Sequence, residues 1–374
     1  MVVAAASFTK GTQMTALHLE PEQLKIVHTY GVGLHSQDDA YDVHDSTWQK
    51  RQIDEFVEFA AMAEELGFDG LTVTEHHAPS MPCPSPHVLL AAAAVRTSRI
   101  RLGTAVTLLP LYEPVRVAEE AGTLDLLSGG RFELGLGRGV PGEALIARGR
   151  DLDADTSRRA FAEAVEVLHR ALTEHDVTYQ GEFIQVSRPT TIATRPLQQP
   201  LPVWVGASSI DTVRLAASYG WSIMRNFGSA EEHRAAFDAY RETAAEHGHI
   251  ATPGNLMVER FVAIGHDERD IERKVDRLTA AFGRFLSVYF ADGRRPVPTN
   301  DGEFQTASPT VQRPAILVAG TPGQISDALQ STLDETGAGR LLIETFSQDQ
   351  AQLFAREVMP DLRARNASRL GAYT

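Results

Sequence analysis

The sequence predicts an α/β fold, a (β/α)8 TIM barrel with insertions, on three observations. Apolar strand-like runs alternate with segments whose apolar residues recur at helical spacing. Eight such units follow one another without a clear break in composition. The 374 residues exceed one average domain but suit a single barrel that carries insertions. Alternation predicts a parallel sheet, and eight units predict its closure into a barrel.

The predicted elements follow in order along the chain. Residues 1–24 are expected to form a loose amino-terminal extension, and residues 25–374 a single barrel domain. Residues 48–66, 211–219 and 229–246 have the pattern of amphipathic helices. The eight predicted strands are residues 26–35, 70–75, 101–108, 131–137, 203–207, 221–225, 257–265 and 340–345.

Two stretches interrupt the alternation. Residues 178–202 begin as a hairpin after the fourth helix and continue as a Pro-rich return. Residues 289–314 are rich in Gly, Pro, Arg and polar residues, and long irregular loops in compact domains are uncommon unless they are functional or disordered. We therefore predict a mobile lid insertion at about 288–314, near the seventh unit.

Composition restricts the partners. The chain has 49 acidic and 35 basic residues, and its net charge of -14 disfavours binding to nucleic acid or to an anionic membrane surface. Cys83 is the only cysteine, so no internal disulfide is possible, and the longest apolar run, residues 88–95, is too short to cross a bilayer. No basic stretch precedes the apolar residues 2–6, which disfavours a secretory signal. We expect a cytoplasmic protein that acts on a small molecule.

Glu75, His76 and His77 close the second predicted strand. Because strand residues alternate faces, the two adjacent histidines make an awkward metal site. A histidine at the carboxyl end of a strand, beside a carboxylate, is instead a plausible general base near neutral pH. The alternative is that both are loop histidines with structural hydrogen bonds.

A second cluster ends the fourth predicted strand, where glycines flank Arg138. Glycine lets the backbone approach a planar or phosphorylated ligand closely while a guanidinium binds oxygen atoms. Gly137, Gly139 and Gly142 also match the dinucleotide pattern G-x-G-x-x-G, but Pro141 interrupts it and no clean amphipathic helix follows directly. The alternative is a tight turn, preceded by a helix stop at residues 129–130.

A third cluster, residues 206–212, follows the apolar run 203–205. Small and hydroxyl-bearing residues at the start of a helix leave backbone N–H groups available for a phosphate. Ordinary capping of the helix by Ser208 or Ser209 is the alternative. A later strand ends with Trp221, Arg225, Asn226 and Phe227, which suit a substrate-facing position or the core and rim equally well.

These clusters, in this order, resemble the bacterial luciferase family of flavin-dependent monooxygenases. The resemblance runs nearly unbroken from about residue 56 to 139, resumes at 202–220, and is recognisable again at 320–322 and 336–338. The segments that carry it include residues 67–77 (GFDGLTVTEHH), 102–106 (LGTAV), 109–110 (LP), 113–116 (EPVR) and 124–131 (LDLLSGGR).

The resemblance implies FMN at the carboxyl ends of the barrel strands, usually in a dimer. It implies a catalytic role for His76, with Glu75 lining the flavin side, and no metal. The cofactor-binding residues implied or predicted beside them are Ala105, Val106, Gly137, Arg138, Ser208, Ser209 and Thr212. Arg138, Ser209 and Thr212 would bind the phosphate, and a cis peptide would join Ala105 to Val106 beneath the ring. Gly137 stands where luciferase itself has a reactive cysteine, and Cys83, between two prolines, is assigned a loop role.

The mechanism expected from the resemblance is oxygenation of a small or medium organic substrate by dioxygen through a flavin hydroperoxide. A separate NAD(P)H-dependent flavin reductase would deliver the reduced FMN, because no Rossmann unit is found in the sequence. One alternative is a deazaflavin-dependent oxidoreductase on the same barrel, and another is a non-catalytic flavoprotein subunit. A metal-dependent hydrolase built on His76 and His77 ranks last, because the first strand has no early His-x-His.

Overall fold

The computed structural model describes residues 23–35, 42–77, 81–139, 153–289, 295–298, 304–307 and 316–367. The strands are β1 Lys25–Tyr30, β2 Gly70–Val73, β3 Arg101–Thr104, β4 Thr107–Leu108, β5 Phe132–Gly137, β6 Val177–Gln180, β7 Gln185–Thr190, β8 Val203–Gly206, β9 Ser222–Arg225, β10 Leu256–Ile264, β11 Arg295–Pro298, β12 Phe304–Ala307, β13 Leu317–Gly320 and β14 Arg340–Thr345. The helices are α1 Ser46–Glu65, α2 Pro86–Arg96, α3 Pro114–Ser128, α4 Ala154–Thr173, α5 Ile210–Ser218, α6 Ala230–Glu246, α7 Glu268–Tyr289, α8 Pro322–Thr336, α9 Gln348–Leu353 and α10 Met359–Asn366.

Eight parallel strands form a closed ring in the order β1, β2, β3, β5, β8, β9, β10 and β14. The ring closes because β10 pairs with β9 on one edge and with β14 on the other. Helices lie between most successive ring strands, as a parallel connection requires. The barrel and all eight strands expected from the sequence are therefore confirmed.

In the main sheet, β13 was not predicted. It pairs with Phe261–Ile264 of β10, beyond the residues of β10 that pair with β9. Because β14 pairs along the other edge of β10, β13 pairs with the same edge of β10 as β9 does, beyond the point where β9 ends. A run of four residues is too short for its periodicity to separate a strand from a loop.

Alternation along each strand separates the two faces of the ring. On β1, Ile26 and Tyr30 pack in the main core, which includes the Phe56 and Phe59 side chains of α1. The intervening Val27 belongs to a smaller cluster that fills the middle of the barrel. The other members of that cluster are Trp204, Met224, Met257 and Leu342, with Ala105 and Val106 packed against them.

On the amino-terminal side of this cluster, charged side chains lie at the amino ends of the strands. Glu133 accepts a hydrogen bond from Trp204 Nε1 at 2.8 Å and pairs with Arg101. The Arg340 guanidinium lies 4.7 Å from the centre of the Trp204 ring and 3.5 Å from Glu133. Burial is offset by the two arginines, and the pKa of Glu133 stays below its ordinary value. This paired network at the amino end of the barrel borders a cavity of about 1220 Å³.

The insertions differ in how well they match the sequence. Strands β6 and β7 form the antiparallel hairpin expected after the fourth helix, α4, and Glu163 of α4 accepts the backbone N–H groups of Glu182 and Phe183. Within the predicted lid, β11 and β12 pair antiparallel, so the expectation of an irregular stretch was wrong there. The reason is that the many Gly and Pro residues of this stretch predict a loop, and a four-residue strand is too short to show a strand period against them. The rest of residues 290–315, and residues 1–22 of the predicted extension, lie outside the described residues.

The ends of two helices match their sequence signals. Helix α3 ends at Gly129, whose φ of 68° places it in the left-handed region, and Gly130 follows with a φ of 82°. The alternative interpretation of these two glycines as a helix stop is therefore confirmed. Ser229 caps α6 in a reciprocal arrangement with Glu232. No helix in the described ranges is both long enough and apolar enough to cross a membrane.

Two buried histidines lie at the end of β1. The Nε2 atom of His28 lies 2.9 Å from Thr345 Oγ1, and the ring of His35 stacks on Tyr30 with ring centres 3.8 Å apart. Burial lowers the pKa of both histidines, and that of His35 falls to about 3. Between pH 6.5 and that value the unfolded chain binds a proton at His35 that the folded chain does not.

We expect His35→Phe to reduce the acid sensitivity of the fold. Stability falls as pH drops below the unfolded pKa of 6.5, by up to about 1.4 kcal/mol per pH unit for each such histidine. Urea unfolding at pH 6.5 and 4.5 should show a loss in the wild type about 2 to 3 kcal/mol larger than in the variant. The exposed His44, changed to Gln, is the control and should keep the wild-type loss. Equal losses in H35F and the wild type would contradict this assignment.

Candidate functional site

The sequence-predicted residues meet at one rim of the barrel. Parallel strands direct their carboxyl ends to the same face, and each cluster follows such an end: Glu75 and His76 after β2, Ala105 and Val106 after β3, and Arg138 after β5. Residues 207–212 follow β8 on the same rim.

Val106 connects three of these strand ends. The peptide bond from Ala105 to Val106 is cis, at the position that the resemblance implies. A Cβ atom added at Gly137 would clash with the Val106 side chain, and one added at Gly206 would lie 3.4 Å from Val106 Cγ1. The glycine at 137 therefore allows the end of β5 to approach Val106 closely, whereas a side chain at 206 would only touch Val106. A cysteine at 137 would not fit this arrangement without a shift.

Glu75 is fully engaged at the start of its loop. Its buried carboxylate accepts hydrogen bonds from the Leu108 N–H at 2.9 Å and from the Tyr112 hydroxyl at 3.0 Å. His77 Nε2 lies 3.0 Å from the same carboxylate. Glu75 thus joins the loop after β2 to the segment after β4, and these bonds hold its carboxylate in one orientation.

The two histidines have different environments. The His77 ring turns back to Glu75, so the structural interpretation applies to it. His76 donates its backbone N–H to the Cys83 carbonyl at 3.1 Å, which fixes the loop that carries its half-buried ring. Among the described residues, no group of three or more His, Cys, Asp and Glu side chains is arranged to hold a metal ion.

Cys83 packs in the main core and is 1% exposed. Burial, together with the nearby Glu75 charge, raises the pKa of its thiol far above the ordinary value. The thiol therefore stays protonated and is a poor nucleophile, in agreement with the loop role expected from the sequence.

The loop after β8 leads directly into α5. Ser209 caps this helix: its hydroxyl lies 3.4 Å from the Thr212 backbone N and 3.0 Å from Thr212 Oγ1. Capping is thus confirmed for Ser209, while Ser208 is exposed. Arg138 is half-buried at the end of β5. A capped helix start and a guanidinium on the same rim can bind an anion such as a phosphate.

Polar side chains on the inner face of the barrel were missed by the sequence analysis. Thr29 and Thr72 lie on the inward faces of β1 and β2, and their hydroxyl oxygens are buried without a hydrogen-bond partner among the described residues. The sequence does contain a sign of them, because a polar residue at an inward strand position interrupts the apolar pattern. The strand boundaries and faces needed to recognise it come only from the fold.

Glu259 and Glu344 are the other missed residues, and they lie on the inward faces of adjacent strands β10 and β14. Glu344 is 2% exposed and accepts the Gly31 N–H at 2.8 Å. Withdrawal from water raises the pKa of Glu259 to about 7, although Arg260 and a hydrogen bond with Asn226 oppose the shift. Burial and the charge of Glu259 raise the pKa of Glu344 well above its ordinary value. Burial therefore disfavours the ionised form of both carboxyl groups.

Comparison with known proteins identifies the family to which the chain is similar. A family model described as luciferase-like monooxygenase matches residues 29–340. The chain is similar to 4-hydroxyprotoasukamycin monooxygenase from Streptomyces nodosus subsp. asukaensis, with 32% identity over 324 residues that cover 81% of this chain and 85% of that protein. It is also similar to the oxygenase component of the flavin-dependent trigonelline monooxygenase from Acinetobacter baylyi, with 27% identity over 257 residues that cover 67% and 70%.

A solved structure shares the fold. Monooxygenase RslO1 from Streptomyces bottropensis superimposes with a TM-score of 0.72 at 22% sequence identity, over 90% of this chain and 99% of that one.

We expect Glu259→Gln to stabilise the protein more at pH 8 than at pH 5. The folded pKa of about 7 lies above the ordinary 4.5, so the wild type loses stability as pH rises through this interval, whereas Gln does not titrate. The gain in free energy of unfolding should be about 2 to 3 kcal/mol larger at pH 8. Chemical denaturation at both pH values measures it. Glu242→Gln on the exposed face of α6 is the control, and an E259Q gain independent of pH would refute the assignment.

Proposed function

Because this chain belongs to the luciferase-like monooxygenase family, we propose that it is an FMN-dependent oxygenase that uses reduced flavin and dioxygen on a small or medium organic substrate. One observation carries the choice of site: Leu136 of β5 pairs with Val205 of β8, so the strand end that bears Arg138 and the start of α5 lie beside each other.

The residues at the mouth fit FMN. Arg138, Ser208, Ser209 and Thr212 would hold the phosphate, because a guanidinium, hydroxyl groups and helix-start amides all favour an anion. Ala105, Val106 and Gly137 would face the ring system, since small residues leave room for a planar group. The hydroxyl of Thr29, which has no partner among the described residues, would gain one near the carboxyl end of β1. When bound, reduced FMN would supply the electrons that activate dioxygen.

His76 is proposed as the catalytic base, and Glu75 as the residue that orients its loop. The backbone bond from His76 to Cys83 and the three donors around Glu75 keep this loop fixed at the mouth. A fixed base accepts a proton without a prior rearrangement, which is the condition for efficient general-base catalysis.

Two partners are part of the proposal. A separate NAD(P)H-dependent flavin reductase would supply reduced FMN; the similar trigonelline enzyme is the oxygenase component of a flavin-dependent monooxygenase. A homodimer is supported by the exposed apolar residues of α2, where Val88 and Val95 are 68% and 67% exposed.

The direct test is the choice of cofactor. Purified protein should be titrated with oxidised and reduced FMN and with reduced deazaflavin, and oxygen uptake should be followed with a flavin reductase present. Tight binding of reduced FMN with oxygen uptake above that of free flavin supports the proposal. Turnover with deazaflavin alone would establish the alternative oxidoreductase, and FMN binding without such uptake would indicate a non-catalytic subunit.

We expect Arg138→Ala to weaken FMN binding. The guanidinium would make charge-assisted contacts with the phosphate, each worth about 1.5 to 3 kcal/mol, or roughly a 10- to 100-fold change in Kd. Fluorescence titration measures the change, and the exposed Arg116→Ala variant provides the control. Equal FMN affinity in R138A and R116A would remove Arg138 from the phosphate site.

We expect His76→Ala to leave FMN binding largely intact and to lower product formation by roughly 10²- to 10⁴-fold, the usual contribution of a general base. Product is measured with reduced FMN and a substrate found by screening aldehydes, cyclic ketones and phenols. His77→Gln tests the neighbouring histidine and should retain most of the activity. Unchanged turnover in H76A would rule out a catalytic role for His76.

A further inference from the structure

Arg225 lies behind the proposed phosphate loop. It is the last residue of β9, and its side chain is on the face opposite to the inward Met224. Although it is only 8% exposed, its guanidinium is hydrogen-bonded: Nη1 donates to the Ala207 carbonyl at 2.6 Å and to the Ser208 carbonyl at 3.4 Å. Its Nε donates to His233 Nδ1 at 3.1 Å.

These bonds set the direction of two peptide groups. In a planar trans peptide the C=O and the following N–H point in opposite directions. When Arg225 binds the carbonyls of Ala207 and Ser208, the N–H groups of Ser208 and Ser209 point away from it, toward the rim. Neither N–H has a hydrogen-bond partner among the residues that the structure describes. The loop therefore presents two available donors beside the start of α5.

The charge of Arg225 is compensated only in part, by the charge of Glu232, which does not pair with it directly. In the described part of the chain it forms no ion pair with a carboxylate, and the nearby Glu232 accepts the Ser229 N–H at 2.5 Å. His233 adds no charge, since burial and two neighbouring arginines lower its pKa to about 3. In a chain with a net charge of -14, this region behind the loop keeps a buried positive charge. A buried charge without a counter-ion is unfavourable, and a bound dianion would relieve the cost.

We propose that Arg225 is the positioning residue of the phosphate subsite: it orients the Ser208 and Ser209 amides toward the phosphate and supplies the positive charge behind them. The proposal rests on the proposed function, because the dianion is the FMN phosphate. Arg225 acts through the loop and does not touch the flavin ring.

The experiment compares FMN with riboflavin, which has the same ring system without the phosphate. Arg225→Gln should weaken FMN binding by about 10- to 100-fold and change riboflavin binding little, because the loss is confined to one charge and its oriented donors. Arg225→Lys keeps the charge but cannot bind two carbonyls and His233 together, so its ratio of FMN to riboflavin affinity should be intermediate. Arg234→Gln, an exposed residue on α6 with the same change of charge, should keep the wild-type ratio.

Each outcome decides one question. An unchanged affinity ratio in R225Q, including an equal loss for both ligands, overturns the proposal, since it assigns Arg225 a purely structural role. If R225Q does not fold, R225K carries the test: a wild-type ratio overturns the proposal and a reduced ratio supports it. Wild-type protein that binds neither FMN nor riboflavin would refute the proposed function itself. A wild type that binds both flavins equally would refute the phosphate subsite, and Arg225 with it.

Discussion

Closure of the parallel ring is the constraint on which the other features depend. Strand β10 pairs with β9 and with β14, and this double pairing brings the first and last strands together. Because every ring strand runs in the same direction, loops that are far apart in the sequence end on one rim. Glu75, Val106, Arg138 and Ser209 are brought to this rim by the pairing, and no direct bond between them is needed.

The two ends of the barrel treat charge differently. At the amino end, Glu133 is paired with Arg101 and Arg340, so two guanidinium groups balance its charge. At the carboxyl end, burial raises the pKa of Glu344 well above its ordinary value, and Arg225 has hydrogen bonds but no ion pair among the described residues. A charge that is already paired needs no ligand to balance it, whereas a buried charge without a counter-ion favours the binding of a ligand. The asymmetry agrees with the assignment of function to the carboxyl end.

A second feature of the site is the close approach of the β5 backbone to Val106. Gly137 lies so close to Val106 that any side chain at 137 would displace the Val106 side chain. Luciferase has a reactive cysteine at this place, but here the Val106 side chain occupies the space that a cysteine at 137 would need. The one thiol of the chain, Cys83, is buried in the core, so the chemistry proposed for the mouth does not involve a cysteine.

The sequence by itself determined the barrel, its eight strands and the order of the three clusters, because strand and helix periods, glycine stops and capping residues are local signals. Ser209 at the start of α5 and Gly129 at the end of α3 are examples. Only the tertiary structure decided which face each polar residue occupies. Glu259 and Arg225 are charged residues of neighbouring strands, yet one faces the mouth and the other lies behind the loop after β8. Strand register and ring closure set these directions, and both depend on contacts between residues distant in the chain. The same reason explains β13, whose pairing with β10 has no local signature.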